Sequence, residues 1–253
     1  MQFFLDTANI DAIKKYASWG IIEGITTNPS LIAKEGVDVK TRILEIAKIV
    51  DGPISSEVIA TDTEGMLREG RAMAAWHENV YVKVPMTSEG LKAVKVLSAE
   101  GIPTNVTLVF SASQAMMAAR AGATLVSPFL GRLDDISEDG MALVADIIHI
   151  FRNYNIQTKV LAASIRHPLH VVQSMKVGAD IATMPPEIFE KLVSHPLTDK
   201  GLATFLSDWE KVKKFQKGYL SIFKIYLPSL LLMACKKQNG TNMGKNSLCF
   251  SKK

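Results

Sequence analysis

Cysteine is absent until Cys235, and the other cysteine, Cys249, lies still closer to the C-terminus. A body without thiols supports neither a disulfide framework nor a thiolate metal site. Histidine is sparse too. His77, His149, His167, His170 and His195 contain no H-x-x-x-H pair and no Cys neighbour, so no metal centre is expected. No serine sits in a nucleophile-elbow motif. No Gly-rich phosphate fingerprint follows the first apolar run. The opening "MQFFLDTANI" is too short and too acidic for a secretion signal, which makes a cytoplasmic location the default expectation. No low-complexity stretch and no Pro/Gly/Ser linker interrupts residues 1–212.

Acid is missing from the tail. Of the 29 Lys and Arg residues, nine lysines fall between Lys213 and Lys253, where there is no Asp or Glu. The other 20 face all 25 acids, so the body carries −5 and the overall +4 belongs to the tail. A body of that sign offers nucleic acid little, and no nucleic-acid partner is expected. With 47% hydrophobic and 21% charged residues, the chain is too apolar for disorder and ordinary for a globular protein.

What is present is alternation. Short apolar runs, "FFLDT", "GITTN", "ISSEV", "VYVKV", "TNVTLV", "TLVSPF", "TKVLAAS" and "DIATM", are separated by amphipathic stretches such as "GMALVADIIHIF". "TDTE" at 61–64 and "SASQ" at 111–114 fit capping boxes, and Gly122 and Gly178 stand where helices would end. One strand–helix unit per roughly 20–30 residues suits a parallel sheet. Eight units in residues 1–212 predict a single compact (β/α)8 barrel, with an open doubly wound sheet as the alternative. The expected organisation is a barrel over 1–212 and an extension over 213–253.

A (β/α)8 barrel carries its chemistry at the C-terminal ends of its strands. The polar residues there are Asp6; Thr26 and Asn28; Glu57; Lys83; Asn105 and Thr107; Ser127 beside Phe129; and Ser164, with Arg132 and Arg166 just beyond strands 6 and 7. Side chains two apart share a face. Thr26 with Asn28, Asn105 with Thr107, and Ser127 with Phe129 therefore line up, while Val82 and Val84 flank Lys83 on the opposite face. Several strands doing this together predict a polar barrel mouth. Each residue also has a structural reading. Lys83 could be an ion-paired core lysine partnered by Glu57 or Asp6, and Asp6 a cap for the helix near Asn9. Asn28 could be a turn residue before Pro29. Asn105 and Thr107 could satisfy backbone groups, Arg132 and Arg166 could be surface charges, and Ser127 and Ser164 could be incidental.

"FLDTAN" (4–9), "GITTNPSLI" (24–32), "VYVKVPMT" (80–87), "TNVTLVFS" (104–111), "SPFLGRLDD" (127–135) and "AASIR" (162–166) together resemble the short transaldolases and the related fructose 6-phosphate aldolases. The resemblance implies a (β/α)8 barrel, Schiff-base chemistry without a cofactor, sugar-phosphate substrates and a homo-oligomer, a pentamer or decamer. It makes Lys83 the amine that attacks a ketose carbonyl. Desolvation disfavours an ammonium and so favours the nucleophilic form of such an amine, while Asp6 and Glu57 nearby pull the other way. The resemblance further implies Asp6 as general acid/base, Glu57 with Thr107 around a catalytic water, and Asn28, Asn105 and Ser127 on substrate hydroxyls. Arg132, Ser164 and Arg166 would hold the phosphate, with Thr26 and Phe129 also at the substrate. The aldolase branch tends to carry Gln at the position of Glu57 and Tyr at that of Phe129, so both residues favour a transaldolase. A fructose 6-phosphate aldolase and a non-catalytic sugar-phosphate binder are the alternatives; the binder would not need Lys83, Asp6 and Glu57 together.

The extension departs from the family. "YLSIFKIYLPSLLLMACKK" is apolar but interrupted by Lys224 and Pro228, and it is near the lower length limit of a membrane span. No membrane anchor is expected; packing on a partner helix, or an extension foreign to the barrel, fits better. "KKQNGTNMGKNSLCFSKK" has a disordered composition.

Overall fold

The computed structural model describes the backbone of residues 1–238 and the side chains of residues 1–217. It divides into two units, Met1–Val193 and Ser194–Lys253. In the first unit strands and helices alternate from the N-terminus. They run β1 (Gln2–Asp6), α1 (Ile10–Ala17), β2 (Ile22–Thr26), α2 (Pro29–Glu35), α3 (Val39–Ala47), β3 (Ile54–Glu57), α4 (Thr63–Ala74), β4 (Val80–Pro85) and α5 (Ser88–Ala99). They continue through β5 (Thr104–Val109), α6 (Ala112–Ala121), β6 (Leu125–Pro128), α7 (Leu130–Asp134), α8 (Gly140–Asn153), β7 (Lys159–Ala162), α9 (Pro168–Val177), β8 (Ile181–Met184) and α10 (Pro186–Val193).

All eight strands are parallel and pair in chain order, and β1 also pairs with β8. That last pairing closes a (β/α)8 barrel and excludes the open doubly wound sheet. Closure leaves no edge strand, so every strand's backbone groups face a neighbour.

The alternation of side chains sorts two cores. Residues of the outward parity, such as Val82, Val84, Val106, Val126, Val160, Ala162 and Ala182, pack beneath the helices against Ile13, Ile43, Leu97 and Ile147. Each such side chain contributes roughly 1.5–3 kcal/mol by leaving water. Residues of the inward parity fill the barrel in two tiers. Phe4, Leu125, Leu161 and Ile181, with Tyr81 packed beside them, form an apolar floor. Two residues further along the same strands stand Asp6, Lys83, Ser127, Ala163 and Thr183. Gly24 belongs to the floor because a Cβ there would lie 2.5 Å from Cζ of Phe4. The phenyl ring occupies the room that a side chain on β2 would need.

The helix ends follow from short polar side chains. Asn9, Asn28, Asp38, Asp62, Thr87, Ser111, Asp139 and His167 each accept a backbone N–H of the first turn that follows. Gly122 and Gly178 end α6 and α9 with φ of 102° and 90°. "SASQ" does cap α6 through Ser111, but the Gln114 carboxamide accepts from Phe110 N rather than Ser111 N. "TDTE" is one residue out of place. Asp62, not Thr61, is the N-cap of α4, since its carboxylate reaches Gly65 N at 2.8 Å.

The second unit contains α11 (Pro196–Gln238), which runs through the expected boundary at 212/213 and through both Lys224 and Pro228. Among the described residues no helix is long and apolar enough to cross a membrane. The segment expected to be disordered, 236–253, lies outside the described residues from 239 onward.

Candidate active site

Five strands bring the central groups together because their residues are register neighbours. Glu57 pairs with Lys83 across β3 and β4, Lys83 with Asn105 across β4 and β5, and Asp6 with Thr26 across β1 and β2. Lys83 Nζ lies 3.0 Å from Glu57 Oε2 and donates to the Thr27 carbonyl at 3.0 Å. The two side chains are 7% and 16% exposed, so the ion pair is nearly out of water. The structural reading of Lys83 as a paired lysine thus holds with Glu57, and the amine also lines a cavity.

That cavity, of about 550 Å³, opens at the C-terminal end of the strands. Its wall includes Asp6, Thr26, Asn28, Lys83, Asn105, Ser127, Phe129, Arg132, Ser164 and Arg166. Ten of the twelve residues expected from the sequence are therefore in one place. Glu57 and Thr107 are not in the wall. Glu57 joins the site through its contact with Lys83. Thr107 is buried, and its Oγ1 has no hydrogen-bond partner among the described residues.

The Asp6 carboxylate accepts from Thr26 Oγ1 at 2.7 Å, and Thr26 Oγ1 is 2.6 Å from Thr183 Oγ1. Asp6 caps no helix; Asn9 does that for α1. Burial holds the Asp6 pKa above the ordinary carboxylate value, while the Thr26 hydrogen bond and the Lys83 charge pull it back down. On the opposite side of Lys83 a polar chain is fully buried. Ser127 Oγ donates to Asn105 Oδ1 at 2.6 Å, and Asn105 Nδ2 donates to Ser55 Oγ at 3.0 Å. This orients the carboxamide at the level of the amine.

The remaining groups come from loops and from α7. Asn28 Oδ1 caps α2 by accepting Leu31 N–H at 3.0 Å, which leaves its Nδ2 for a ligand. The Arg132 guanidinium stands 4.9 Å from the Phe129 ring centroid, a cation–π contact. The guanidinium of Arg166 donates to Asp135 at 2.9 Å. Ser164 holds φ at +61°, in the left-handed region, with its carbonyl against Gly131. A Cβ on Gly131 would meet that oxygen at 2.0 Å. A non-glycine residue in that region costs about 1–3 kcal/mol and marks a position the surroundings enforce.

Some residues escaped the sequence reading. Thr183 follows the same inward parity on β8 and was findable by that rule. Lys34, Glu35 and Glu187 also line the cavity, but they lie on helices, where strand parity gives no signal. The histidines were seen only as a non-cluster. Among the described residues no three His, Cys, Asp or Glu gather as metal ligands. His170 nevertheless engages Asp134 and the Arg166 loop.

Comparison with known proteins adds the lineage. Residues 3–219 match the family described as Transaldolase/Fructose-6-phosphate aldolase. A protein of Caldicellulosiruptor saccharolyticus named "Probable transaldolase" is 61% identical over 215 residues, 85% of this chain and 99% of its own. One of Methanococcus maripaludis with the same name is 59% identical over 210 residues, covering 83% and 98%. A Listeria monocytogenes protein named "Probable transaldolase 1" is 60% identical over 214 residues, covering 85% and 100%.

Proposed function

Since this chain belongs to the transaldolase/fructose 6-phosphate aldolase family and is an enzyme of the transferase class, we propose that it moves a dihydroxyacetone unit between sugar phosphates through a Schiff base on Lys83. The donor is a ketose phosphate, sedoheptulose 7-phosphate or fructose 6-phosphate. The acceptor is an aldose phosphate, glyceraldehyde 3-phosphate or erythrose 4-phosphate, the exchange of the pentose phosphate pathway. The catalytic unit is the barrel of residues 1–212.

One observation carries this reading: a nearly buried lysine amine, 3.0 Å from a carboxylate, faces a polar cavity whose rim bears two guanidiniums. An ammonium has no lone pair, so a proton must leave before attack. Glu57 is placed to take it. The amine nitrogen adds to the ketose carbonyl carbon, and the carbinolamine loses water. Glu57 and the Thr107 hydroxyl, unpartnered among the described residues, would hold and steer that water. Asp6 then takes the C4 hydroxyl proton. The C3–C4 bond breaks, its electron pair flows into the protonated imine, and the aldose phosphate departs. A carboxylate whose pKa burial holds above the ordinary value is a stronger base toward that hydroxyl proton. Asn28, Asn105 and Ser127 bind the hydroxyls of the retained unit. Arg132, Ser164 and Arg166 hold the phosphate, a task for guanidinium forks.

The enamine left on Lys83 has two fates. Protonation followed by hydrolysis would release free dihydroxyacetone; attack on an aldehyde completes the transfer. The Phe129 ring in the cavity wall has no proton to give, which favours transfer. Borohydride reduction in the presence of fructose 6-phosphate tests the covalent step. Peptide mapping should find a three-carbon adduct on Lys83, and its absence would leave a non-catalytic binder. With erythrose 4-phosphate present the unit should appear in a seven-carbon ketose phosphate. Accumulation of free dihydroxyacetone instead would make the protein an aldolase.

A further inference from the structure

A hydrogen-bonded chain runs beneath the rim that carries Arg132 and Arg166. Asp134, at the end of α7, spends its two oxygens on different elements. Oδ1 accepts Gly140 N–H at the start of α8 at 3.0 Å, and Oδ2 lies 2.7 Å from His170 Nε2. The other ring nitrogen of His170 accepts the backbone N–H of Arg166 at 3.2 Å. A nitrogen that accepts cannot carry a proton, so the ring is neutral with its hydrogen on Nε2. His170 is buried, and α9 fixes it from both sides: His170 N donates to His167 Nδ1, and Ser174 Oγ donates to the His170 carbonyl. The rest of the rim is equally close-fitted, with Gly131 against the Ser164 carbonyl and Leu130 N–H donating to Ala163 O.

We propose that His170 is a positioning residue for the substrate phosphate: its Nδ1 holds the Arg166 backbone, and Asp134, by binding Nε2–H, keeps Nδ1 an acceptor. The inference rests on the reading of Arg166 and Ser164 as phosphate ligands and adds the device that places them. Among the described residues, the charged and titratable groups that face the ring are Asp134 from α7 and His167 and Arg166 from the loop before α9. The His167 ring lies 3.7 Å away, centroid to centroid, a poor neighbour for an imidazolium. Burial first, then His167, holds the His170 pKa below the ordinary imidazole value, against the upward pull of Asp134. The acceptor therefore persists through neutral pH. Once Nδ1 is protonated it opposes the Arg166 N–H donor to donor, and the grip on phosphate is lost at acid pH.

Two variants of the full chain test this. His170→Phe keeps the ring volume and removes the acceptor. His170→Asn places a carbonyl oxygen near the position of Nδ1, where it accepts but does not titrate. His170→Phe should raise KM for fructose 6-phosphate, and Ki for inorganic phosphate as competitor, by about five- to tenfold, and His170→Asn should recover wild-type values to within about twofold. In both variants kcat and the borohydride adduct of phosphate-free dihydroxyacetone on Lys83 should match the parent. Phosphate affinity should fall more steeply toward acid in the parent than in His170→Asn; the ligand's own titration cancels in that comparison. Unchanged phosphate binding in His170→Phe overturns the proposal. So does an equal loss of phosphate binding and dihydroxyacetone trapping, which marks general distortion. Parallel acid slopes also overturn it, and that comparison decides alone if His170→Phe does not fold. Failure of the parent to trap dihydroxyacetone overturns the Schiff-base reading instead, while inorganic phosphate binding still tests His170.

Discussion

Glu57 Oε2 and Lys83 Nζ are 3.0 Å apart on adjacent strands of one register pair, and the lysine is the more deeply buried of the two. Removing either partner has unequal consequences. Lys83→Met leaves a carboxylate that can take up a proton, so the fold should hold, with Tm within a few degrees of the parent. Turnover and the borohydride adduct should both vanish. Glu57→Ala strands a buried ammonium, which costs about 3–5 kcal/mol. Thermal unfolding should show the larger loss in Glu57→Ala; the reverse order would mean that the stranded amine is not the costlier of the two groups.

Asp6 links pH to stability. Its folded-state pKa is raised, chiefly by burial, so the folded chain binds this proton more tightly than the unfolded chain does. Ionised Asp6 therefore weakens the fold. The penalty is absent below the ordinary Asp pKa, grows as pH rises through the folded-state value, and stays constant above it. Asp6→Asn should be more stable than the parent at pH 7 and no more stable at strongly acid pH, as read by denaturant titration. The same substitution should lower kcat by about 10²–10⁴-fold.

On the proposed role of Arg166 as a phosphate ligand, its ion pair with Asp135 competes for the same guanidinium. Both side chains are about half exposed, so the pair is worth roughly 0–1 kcal/mol. Asp135→Asn should release Arg166 and lower KM for sugar phosphates by up to about fivefold. Steady-state kinetics with fructose 6-phosphate checks this; a raised KM would show that Asp135 orients Arg166 for its ligand.

Gly24 and Phe4 share one volume in the barrel floor. Gly24→Ala sets a Cβ against the ring and should destabilise by about 1–3 kcal/mol. Phe4→Leu alone opens a cavity. The double variant should be less destabilised than the sum of the two singles, because each change relieves the other. Strict additivity in chemical denaturation would mean that the two sites do not share the space.

All eight strands were legible because short runs bearing β-branched and other apolar residues alternate with amphipathic stretches at a strand–helix spacing. Whether the sheet closes was not written locally; it depends on Gln2–Leu5 finding Ile181–Met184 at the far end of the chain. Strand parity picked out Lys83 and Ser127 because Val82, Val84, Val126 and Pro128 flank them on the opposite parity, and Asn105 because Thr107 shares its face. It also held the signal for Thr183. The His170–Asp134 contact was beyond any such rule, since it joins a short helix after β6 to one after β7. Asp6 looked like a cap because acids often are, but Asn9, directly before α1, does that work.

The floor of Phe4, Leu125, Leu161 and Ile181 stoppers the barrel at one end. Visitors thus share a single doorway. On the proposed Schiff-base course, the first product would have to vacate it before a second sugar steps in, while the three-carbon cargo waits on Lys83.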